Sequence, residues 1–384
     1  MNNDHALSDC FAGHWATAFL VSVLALLGGQ TAAAGRQDEL PPAVTRALAE
    51  AQIPASAVAV VVQEAGAKKP RLAVNADVPM NPASVMKLVT TYVALESLGS
   101  AHTWQTGAYA AGKLESGVLA GDLHIRGSGD PKLTLEQFWL LLRDLRARGL
   151  RHIRGDLVLD RSLFASTFRD PGAFDGEPYA AYNVGPDALL LNFKAIRFRF
   201  VPDPRVGGRP SVLPEPLPAG LEVVNAVVAS DGACGDWKDE IRADLTRQGS
   251  ASRLVLSGSY ATACGEQVVS LGVLDHPEYV LGVFRQLWAE LGGTLSGGVR
   301  DGPVPPGASL LATVESPPLA DLVRDINKFS NNVMARQLFL TLGAAAGRVP
   351  AREADGAAAI RSWLNTNSLG MPELVMENGA GLSR

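Results

Sequence analysis

One helical segment, residues 81–99 (NPASVMKLVTTYVALESLG), constrains the fold of this chain more than any other feature of its sequence. Asn81 is suited to an N-cap and Gly99 to the position that follows the last helical turn. Apolar side chains cover most of the remaining surface, so we expect this helix to be buried on most sides. Lys87 is its only cation, and it lies three residues after Ser84. The sequence therefore predicts a lysine that is buried close to a serine.

Ser84 and Lys87 occupy positions i and i+3, which share one face of a helix. Burial in apolar surroundings favours the neutral amine, so we expect a lowered pKa for Lys87. A neutral amine next to a hydroxyl can take its proton and activate it as a nucleophile. Ser84 also lies in the first helical turn, where the helix dipole favours negative charge. The bland alternative is a chance spacing with a solvated lysine.

A second candidate motif, Ser330-Asn331-Asn332, lies far along the chain and is its only S-x-N sequence. Ser330 stands between two helical patterns, where it could simply N-cap the second helix. The functional hypothesis makes Ser330 a proton shuttle to a leaving group and Asn332 a hydrogen-bonding partner of a substrate amide. Both interpretations are open on the sequence alone.

Composition excludes several classes of function. The 384 residues carry a net charge of −5 without a long basic run, which argues against nucleic acid and anionic membrane surfaces as partners. Hydrophobic residues make up 47% of the chain, enough for a large packed core in two or three domains. The six histidines are scattered and form no H-E-x-x-H motif, so neither a metal site nor a cofactor is expected.

The N-terminus predicts export. Residues 15–28 form an apolar run too short to span a bilayer comfortably, and 32–34 (AAA) provide a small-residue cleavage site. We interpret residues 1–34 as a signal peptide, although they lack the usual Lys or Arg; a buried N-terminal helix is the alternative. The mature protein would then be periplasmic, without a stable transmembrane span. In that oxidising compartment Cys234 and Cys264 would form a disulfide, with two buried thiols as the alternative.

Hydrophobic periodicity predicts a mixed α/β (α+β) fold. Helices are predicted at 42–52, 136–149, 278–293, 318–326 and 331–344. Strands are predicted at 57–63, 71–75, 122–127, 156–160, 196–201, 221–228 and 253–258. We therefore expect a mainly β insertion at 104–275 that divides a more helical domain made of residues 35–103 and 276–384.

Several segments of the chain resemble a known family. The S-x-x-K at Ser84 and the S-x-N at Ser330 are similar to the first two motifs of the penicillin-recognising serine enzymes. The wider sequence resembles the class C low-molecular-mass penicillin-binding proteins, the D-alanyl-D-alanine carboxypeptidase/endopeptidase family (peptidase family S13). The resemblance runs from about residue 40 to the end and includes NPASVMKLVTTYVAL (81–95), GSGDPKLT (127–134), IRGDLVLDRSLF (153–164), YNVGPDALLLNF (182–193) and MENGAGLSR (376–384).

The resemblance implies a transpeptidase/β-lactamase-like domain, an antiparallel sheet with helices, and a specific chemistry. Ser84 would attack the D-Ala–D-Ala carbonyl of peptidoglycan stem peptides, or a β-lactam, with Lys87 as general base. Ser330 would relay a proton to the departing D-alanine, and Asn332 would orient the peptide. Asp175 loosely matches an acidic residue that meets the free amino group of the stem peptide, although a loop-surface carboxylate is the simpler interpretation.

The resemblance is incomplete in one respect. The third family motif, Lys-Thr/Ser-Gly, is absent from the 384 residues, so the sequence looks truncated after NGAGLSR. The missing strand would supply part of the oxyanion hole. Two alternatives to a serine DD-peptidase therefore stay open: a non-catalytic envelope protein that binds peptidoglycan and, more weakly, a β-lactamase.

Overall fold

The computed structural model describes residues 39–166, 170–203, 205, 208–249 and 251–382. The predicted signal peptide lies outside these residues. Contacts divide the chain into two compact units with a boundary between Met80 and Asn81. In the first unit, helix α1 (Pro42–Glu50) precedes an antiparallel hairpin of β1 (Val60–Val62) and β2 (Leu72–Val74).

In the part that the structure describes, the second unit combines helices with three sheets. Its helices are α2 (Met86–Leu98), α3 (Leu135–Ala147), α4 (His276–Glu290), α5 (Leu319–Lys328), α6 (Asn332–Ala345) and α7 (Glu353–Thr366). Its strands are β3 (Gln105–Glu115), β4 (Val118–Arg126), β5 (His152–Ile153), β6 (Leu157–Asp160), β7 (Ile196–Val201), β8 (Ser211–Glu215), β9 (Leu221–Ser230), β10 (Ile241–Gln248), β11 (Ala251–Ala261), β12 (Gln267–Leu271), β13 (Thr294–Leu295), β14 (Val299–Asp301) and β15 (Ser309–Glu315). None of the helices within the described ranges is long and apolar enough to cross a membrane.

A seven-stranded mixed sheet forms the centre of the second unit. Its main path runs β13-β5-β4-β3-β15, with β6 beside β4 and β14 beside β6. The long strands β3 and β4 pair antiparallel, and the short strands β5 and β6 run parallel to β4. Helices α3 and α4 pack against this sheet through Phe138 and Phe284, whose ring centroids are 6.4 Å apart.

Two three-stranded sheets, β12-β7-β8 and β10-β11-β9, extend the same hydrophobic core. The predicted alternation in strand β7 is confirmed: Ile196, Phe198 and Phe200 are buried, whereas the arginines between them are not. A disulfide joins Cys234 to Cys264 in this region. It lies next to an aromatic cluster that includes Phe200, so these small sheets have both a covalent link and a packed core.

A separate helical core surrounds α2, the helix that carries Lys87. Helices α5, α6 and α7 pack around it, with residues such as Met86, Val93, Leu338 and Phe339 buried between them. The expectation that α2 is buried on most sides is wrong for one face, which exposes Val85, Leu88 and Tyr92 by 63%, 56% and 51%. Its opposite face holds Lys87, and that face positions the site.

Candidate active site

Ser84 lies in a short 3₁₀ turn, Ala83–Val85, that immediately precedes helix α2. The Asn81 Oδ1 atom accepts a hydrogen bond of 2.9 Å from the backbone N–H of Ala83. Ala83 has φ +44°, a left-handed conformation that costs energy for a residue with a Cβ. Local strain of this kind is concentrated at functional sites, and here it immediately precedes the candidate nucleophile.

Lys87 lies beneath this serine, with only 1% of its surface exposed. Its Nζ atom is 2.9 Å from Ser84 Oγ, 2.7 Å from Asn332 Oδ1, 2.8 Å from the carbonyl oxygen of Ala380 and 3.4 Å from Ser330 Oγ. Burial lowers the pKa of Lys87 from its ordinary value to about 8. Removal of the amine from water favours its neutral form, so an appreciable fraction is unprotonated near neutral pH.

The partners of Lys87 fix the direction of its lone pair. A neutral amine has two N–H groups and one lone pair. The carbonyl of Ala380 and the Oδ1 atom of Asn332 can only accept hydrogen bonds, so they take the two N–H groups. The lone pair is then directed at Ser84, whose hydroxyl can donate its proton. This is the arrangement that general-base activation of a serine requires.

Ser330 occupies the loop between α5 and α6 and has φ +52°, again a left-handed conformation. The N-cap of α6 is its neighbour Asn331, whose Oδ1 accepts from the N–H of Met334 at 3.0 Å. The interpretation of Ser330 as a simple N-cap is therefore wrong. The hydroxyls of Ser84 and Ser330 belong to exposed residues, whereas Lys87 is buried, so a bound molecule can reach both serines.

Buried hydrogen bonds fasten helix α6, which carries Asn332, to the segment before β7. Gln337 is fully buried, and its amide bonds both the N–H and the carbonyl of Asp187 at 2.8 Å. The preceding residue, Arg336, donates to the carbonyl of Val184 at 3.1 Å. These bonds tie two of the sequence segments that carry the resemblance, 182–193 and the S-x-N region, into one rigid framework.

Asp175 lies in an exposed loop of the same region. Its carboxylate accepts hydrogen bonds from the Tyr182 hydroxyl at 2.8 Å and from the Asn183 amide and the Glu177 N–H at 2.9 Å. Partial burial raises the pKa of Asp175, but these bonds outweigh it and bring the pKa below its ordinary value. The carboxylate is thus held ionised and oriented by its own loop, and its role toward a substrate stays a prediction.

The structure brings Ser84, Lys87, Ser330 and Asn332 together, as the two motifs predict, and adds a group that the sequence did not indicate. This group is the backbone carbonyl of Ala380. A carbonyl belongs to every residue, so no residue type could have pointed to it. The only indication in the sequence is the small-residue segment MENGAGL, which is part of one of the segments that resemble the family.

Comparisons with known proteins find similarity to D-alanyl-D-alanine carboxypeptidases. The chain is 27% identical over 311 residues to the D-alanyl-D-alanine carboxypeptidase DacB of Haemophilus influenzae, covering 81% of this chain and 64% of that protein. It is 30% identical over 314 residues to the D-alanyl-D-alanine carboxypeptidase of Actinomadura sp. strain R39, covering 79% of this chain and 57% of that protein. The crystal structure of penicillin binding protein 4 (dacB) from H. influenzae superposes with a TM-score of 0.65 and 28% identity, over 79% of this chain and 66% of that one.

This chain spans slightly less than two thirds of the length of these relatives. The structural match confirms the predicted fold class, a penicillin-recognising fold with helices, sheets and a large β insertion. Residues 40–384 match a single family over nearly the whole chain. The protein therefore belongs to the D-Ala-D-Ala carboxypeptidase 3 (S13) family.

Proposed function

We propose that this chain carries the acylation machinery of a serine-type D-Ala-D-Ala carboxypeptidase/endopeptidase, with Ser84 as its nucleophile. The observation that carries the proposal is the buried Lys87 amine, 2.9 Å from Ser84 Oγ, whose two N–H groups are taken by acceptor-only oxygens. Lys87 therefore acts as the base for Ser84, and the reaction requires neither a histidine nor a metal ion for this step. The relatives named D-alanyl-D-alanine carboxypeptidase support the same reaction.

The reaction follows from the positions of the side chains. Ser84 Oγ attacks the carbonyl carbon of the penultimate D-alanine as its proton passes to Lys87 Nζ. The peptide C–N bond then breaks, and Ser330, 3.4 Å from the same Nζ, relays that proton to the departing amine. In deacylation, water attacks the ester carbonyl, one proton of that water passes through Lys87 to Ser84 Oγ, and the ester C–O bond breaks to release the shortened peptide as a carboxylic acid. Asn332 fixes both the lysine and the substrate amide.

The substrate class is the stem peptide of peptidoglycan, and β-lactams react at the same serine. A crystal structure of the H. influenzae protein is described as a complex with a β-lactam, which supports this reactivity in the family. Asp175 is an ionised carboxylate suited to a free ammonium group of a diamino acid in the stem peptide. Such a substrate is found in the cell envelope, and the predicted signal peptide is consistent with a periplasmic protein.

Covalent labelling tests the proposal directly. Incubation with a fluorescent penicillin should label the wild-type chain and add the mass of one penicillin in intact-protein mass spectrometry. Ser84→Ala should abolish the label. Ser362→Ala, which changes an exposed serine on helix α7, is the matched control and should label like the wild type. A stable wild-type protein that takes no label, or a Ser84→Ala variant that is still labelled, would contradict the proposal.

Two other functions predict different results in the same experiment. A non-catalytic envelope protein that binds peptidoglycan would sediment with purified cell wall without becoming labelled by penicillin. A β-lactamase would instead hydrolyse penicillin with rapid turnover and accumulate little acyl-enzyme. The same labelling experiment therefore separates all three functions.

A further inference from the structure

The segment 378–382 (NGAGL) is folded directly against helix α2. The Thr90 hydroxyl donates a 2.7 Å hydrogen bond to the carbonyl of Gly379, and the next carbonyl, that of Ala380, accepts from Lys87 Nζ at 2.8 Å. Thr90 and Lys87 are three positions apart and therefore face the segment from the same side of the helix. Two consecutive backbone carbonyls of the segment therefore accept hydrogen bonds from two side chains that lie one turn apart on helix α2.

The segment packs closely against its neighbours in this position. Both of its glycines are left-handed, Gly379 with φ +70° and Gly381 with φ +74°. A Cβ on Gly381 would lie 1.6 Å from the carbonyl oxygen of Ala83, and a Cβ on Gly379 would lie 2.7 Å from the Phe339 ring. These contacts show that the backbone of the segment touches the residue before Ser84 on one side and helix α6 on the other.

Hydrogen bonds within the segment hold it rigid. The buried Asn378 side chain accepts from the N–H of Ala380 at 3.0 Å and donates to the carbonyl of Leu382 at 2.7 Å. Ala380 is itself 1% exposed. The carbonyl that faces Lys87 is therefore fixed by Asn378 from within the segment and, through the adjacent residue, by Thr90 from helix α2.

We propose that Thr90 is a positioning residue for acyl transfer: it fixes the NGAG backbone so that the Ala380 carbonyl directs the lone pair of Lys87 at Ser84. This inference rests on the proposed function, because it assigns a role in activation of the same nucleophile. Without the Thr90 bond, the Ala380 carbonyl is held less firmly against one N–H of the amine, and the lone pair samples directions other than Ser84 more often. The strong dependence of proton transfer on orientation makes that loss visible in the rate.

The same contact affects the protonation of Lys87. A carbonyl oxygen bonds an ammonium more strongly than an amine, so the Ala380 contact favours the charged form. The other oxygens around Nζ, from Ser84, Ser330 and Asn332, are also uncharged. Loosening of Ala380 should therefore lower the pKa of Lys87 while it also slows acylation. A residue that only supports the fold would not move this pKa.

Thr90→Val tests the proposal, since it preserves shape and removes the hydroxyl. We expect the limiting rate of acylation by penicillin to fall by roughly 3- to 10-fold, with its acid limb displaced to lower pH by roughly half a pH unit. Thr90→Ser retains the hydroxyl and should restore both values. Thr341→Val is the matched control: this buried helical threonine bonds the Gln337 carbonyl at 2.9 Å and the Trp104 indole at 3.3 Å, away from Lys87.

A second measurement does not depend on acylation. In protein labelled with ¹³C at lysine Cε, the Lys87 resonance is identified by its absence in Lys87→Met, and its titration is followed by NMR. Asn378→Ala, which loosens the same segment without altering α2, should displace this titration in the same direction as Thr90→Val. If Lys87 titrates as in the wild type in both variants while penicillin still acylates Ser84, the positioning role is wrong and the proposed function stands. If the wild type is not acylated but both variants displace the titration, the proposed function is wrong and the positioning of Lys87 stands.

Discussion

Two of the places where the described residues bury ionisable groups treat the charge in opposite ways. Around Lys87 every hydrogen-bond partner named above is a neutral oxygen, and burial alone lowers the pKa to about 8. Around Asp187 the charge is matched. Arg161 Nε lies 3.0 and 2.8 Å from the two carboxylate oxygens of Asp187, and its Nη1 is 2.9 Å from Asp301.

The Asp187 region keeps its charges ionised. Burial raises the pKa of Asp187, but His276 and the bonds from Arg161 bring it below its ordinary value. Burial also lowers the pKa of His276 to about 4, so this imidazole is neutral at pH 7 and the effect there belongs to Arg161. Because each of these groups has an oppositely charged partner, Arg161 and Asp187 both stay ionised near neutral pH. The comparison teaches that the uncharged oxygens around Lys87, rather than burial itself, distinguish this lysine from Asp187.

The largest expected effect is on reactivity. Lys87→Met removes the base and should lower the rate of acylation by penicillin at least ~10³-fold. The free energy of unfolding should not fall and should rise by about 1–3 kcal/mol at pH 7, because the cost of a buried amine with a lowered pKa is removed. Stopped-flow acylation and urea unfolding measure the two quantities on the same sample.

Lys87→Arg is the matched control for this change, since arginine retains a cation but cannot lose its proton. It should be as inactive as Lys87→Met and less stable than the wild type. A Lys87→Met variant that loses stability as well as reactivity would indicate that Lys87 is structural, like the Asp187 pair.

The second effect is on stability. Arg161→Met leaves the Asp187 carboxylate buried without its partner, so we expect a loss of about 3–5 kcal/mol in the free energy of unfolding. Arg148→Met breaks an exposed i,i+4 pair with Asp144 on helix α3 and should cost only about 0.3–0.5 kcal/mol. A loss in Arg161→Met no larger than that of the control would mean that the compensated region contributes no more than a surface ion pair.

Periodicity predicted those elements whose apolar residues repeat clearly. The helix expected at 136–149 is α3, and the one expected at 331–344 is α6. Strand β3 was not predicted, because its Gly and Ala residues disfavour strands. The structure explains these small residues: Ala108 and Ala110 are buried, and a Cβ on Gly112 would lie 2.5 Å from the carbonyl of Ala120 on β4. The close approach of β3 to β4 determines the conformation of β3. The strand propensities of its own residues therefore could not predict it.

The site shows the same division between local and long-range information. The contact of Ser84 with Lys87 follows from helical spacing, so the sequence alone predicts it. The approach of Ser330 and Asn332 depends on tertiary packing and was expected only because two motifs resemble those of one family. The Ala380 carbonyl and the exposure of Leu88 and Tyr92 depend on how distant segments pack, and residue types do not encode either feature.

The smallest expected effect separates the two regions by pH. Lys87 has a folded pKa of about 8, below its ordinary 10.5, so the stability cost of its buried amine is already complete below pH 8 and does not change further. His276 has a folded pKa of about 4, below its ordinary 6.5, so its contribution to stability is lost only as pH falls from about 6.5 toward 4. Between pH 8 and 6.5 acylation should therefore fall by up to about tenfold per pH unit while the free energy of unfolding stays constant.

His276→Gln should remove the acid loss of stability without moving the acylation limb. If acylation and stability instead decline together across pH 8 to 6.5, the reactive lysine and the compensated ion pair are not independent, and the distinction between the two regions is wrong.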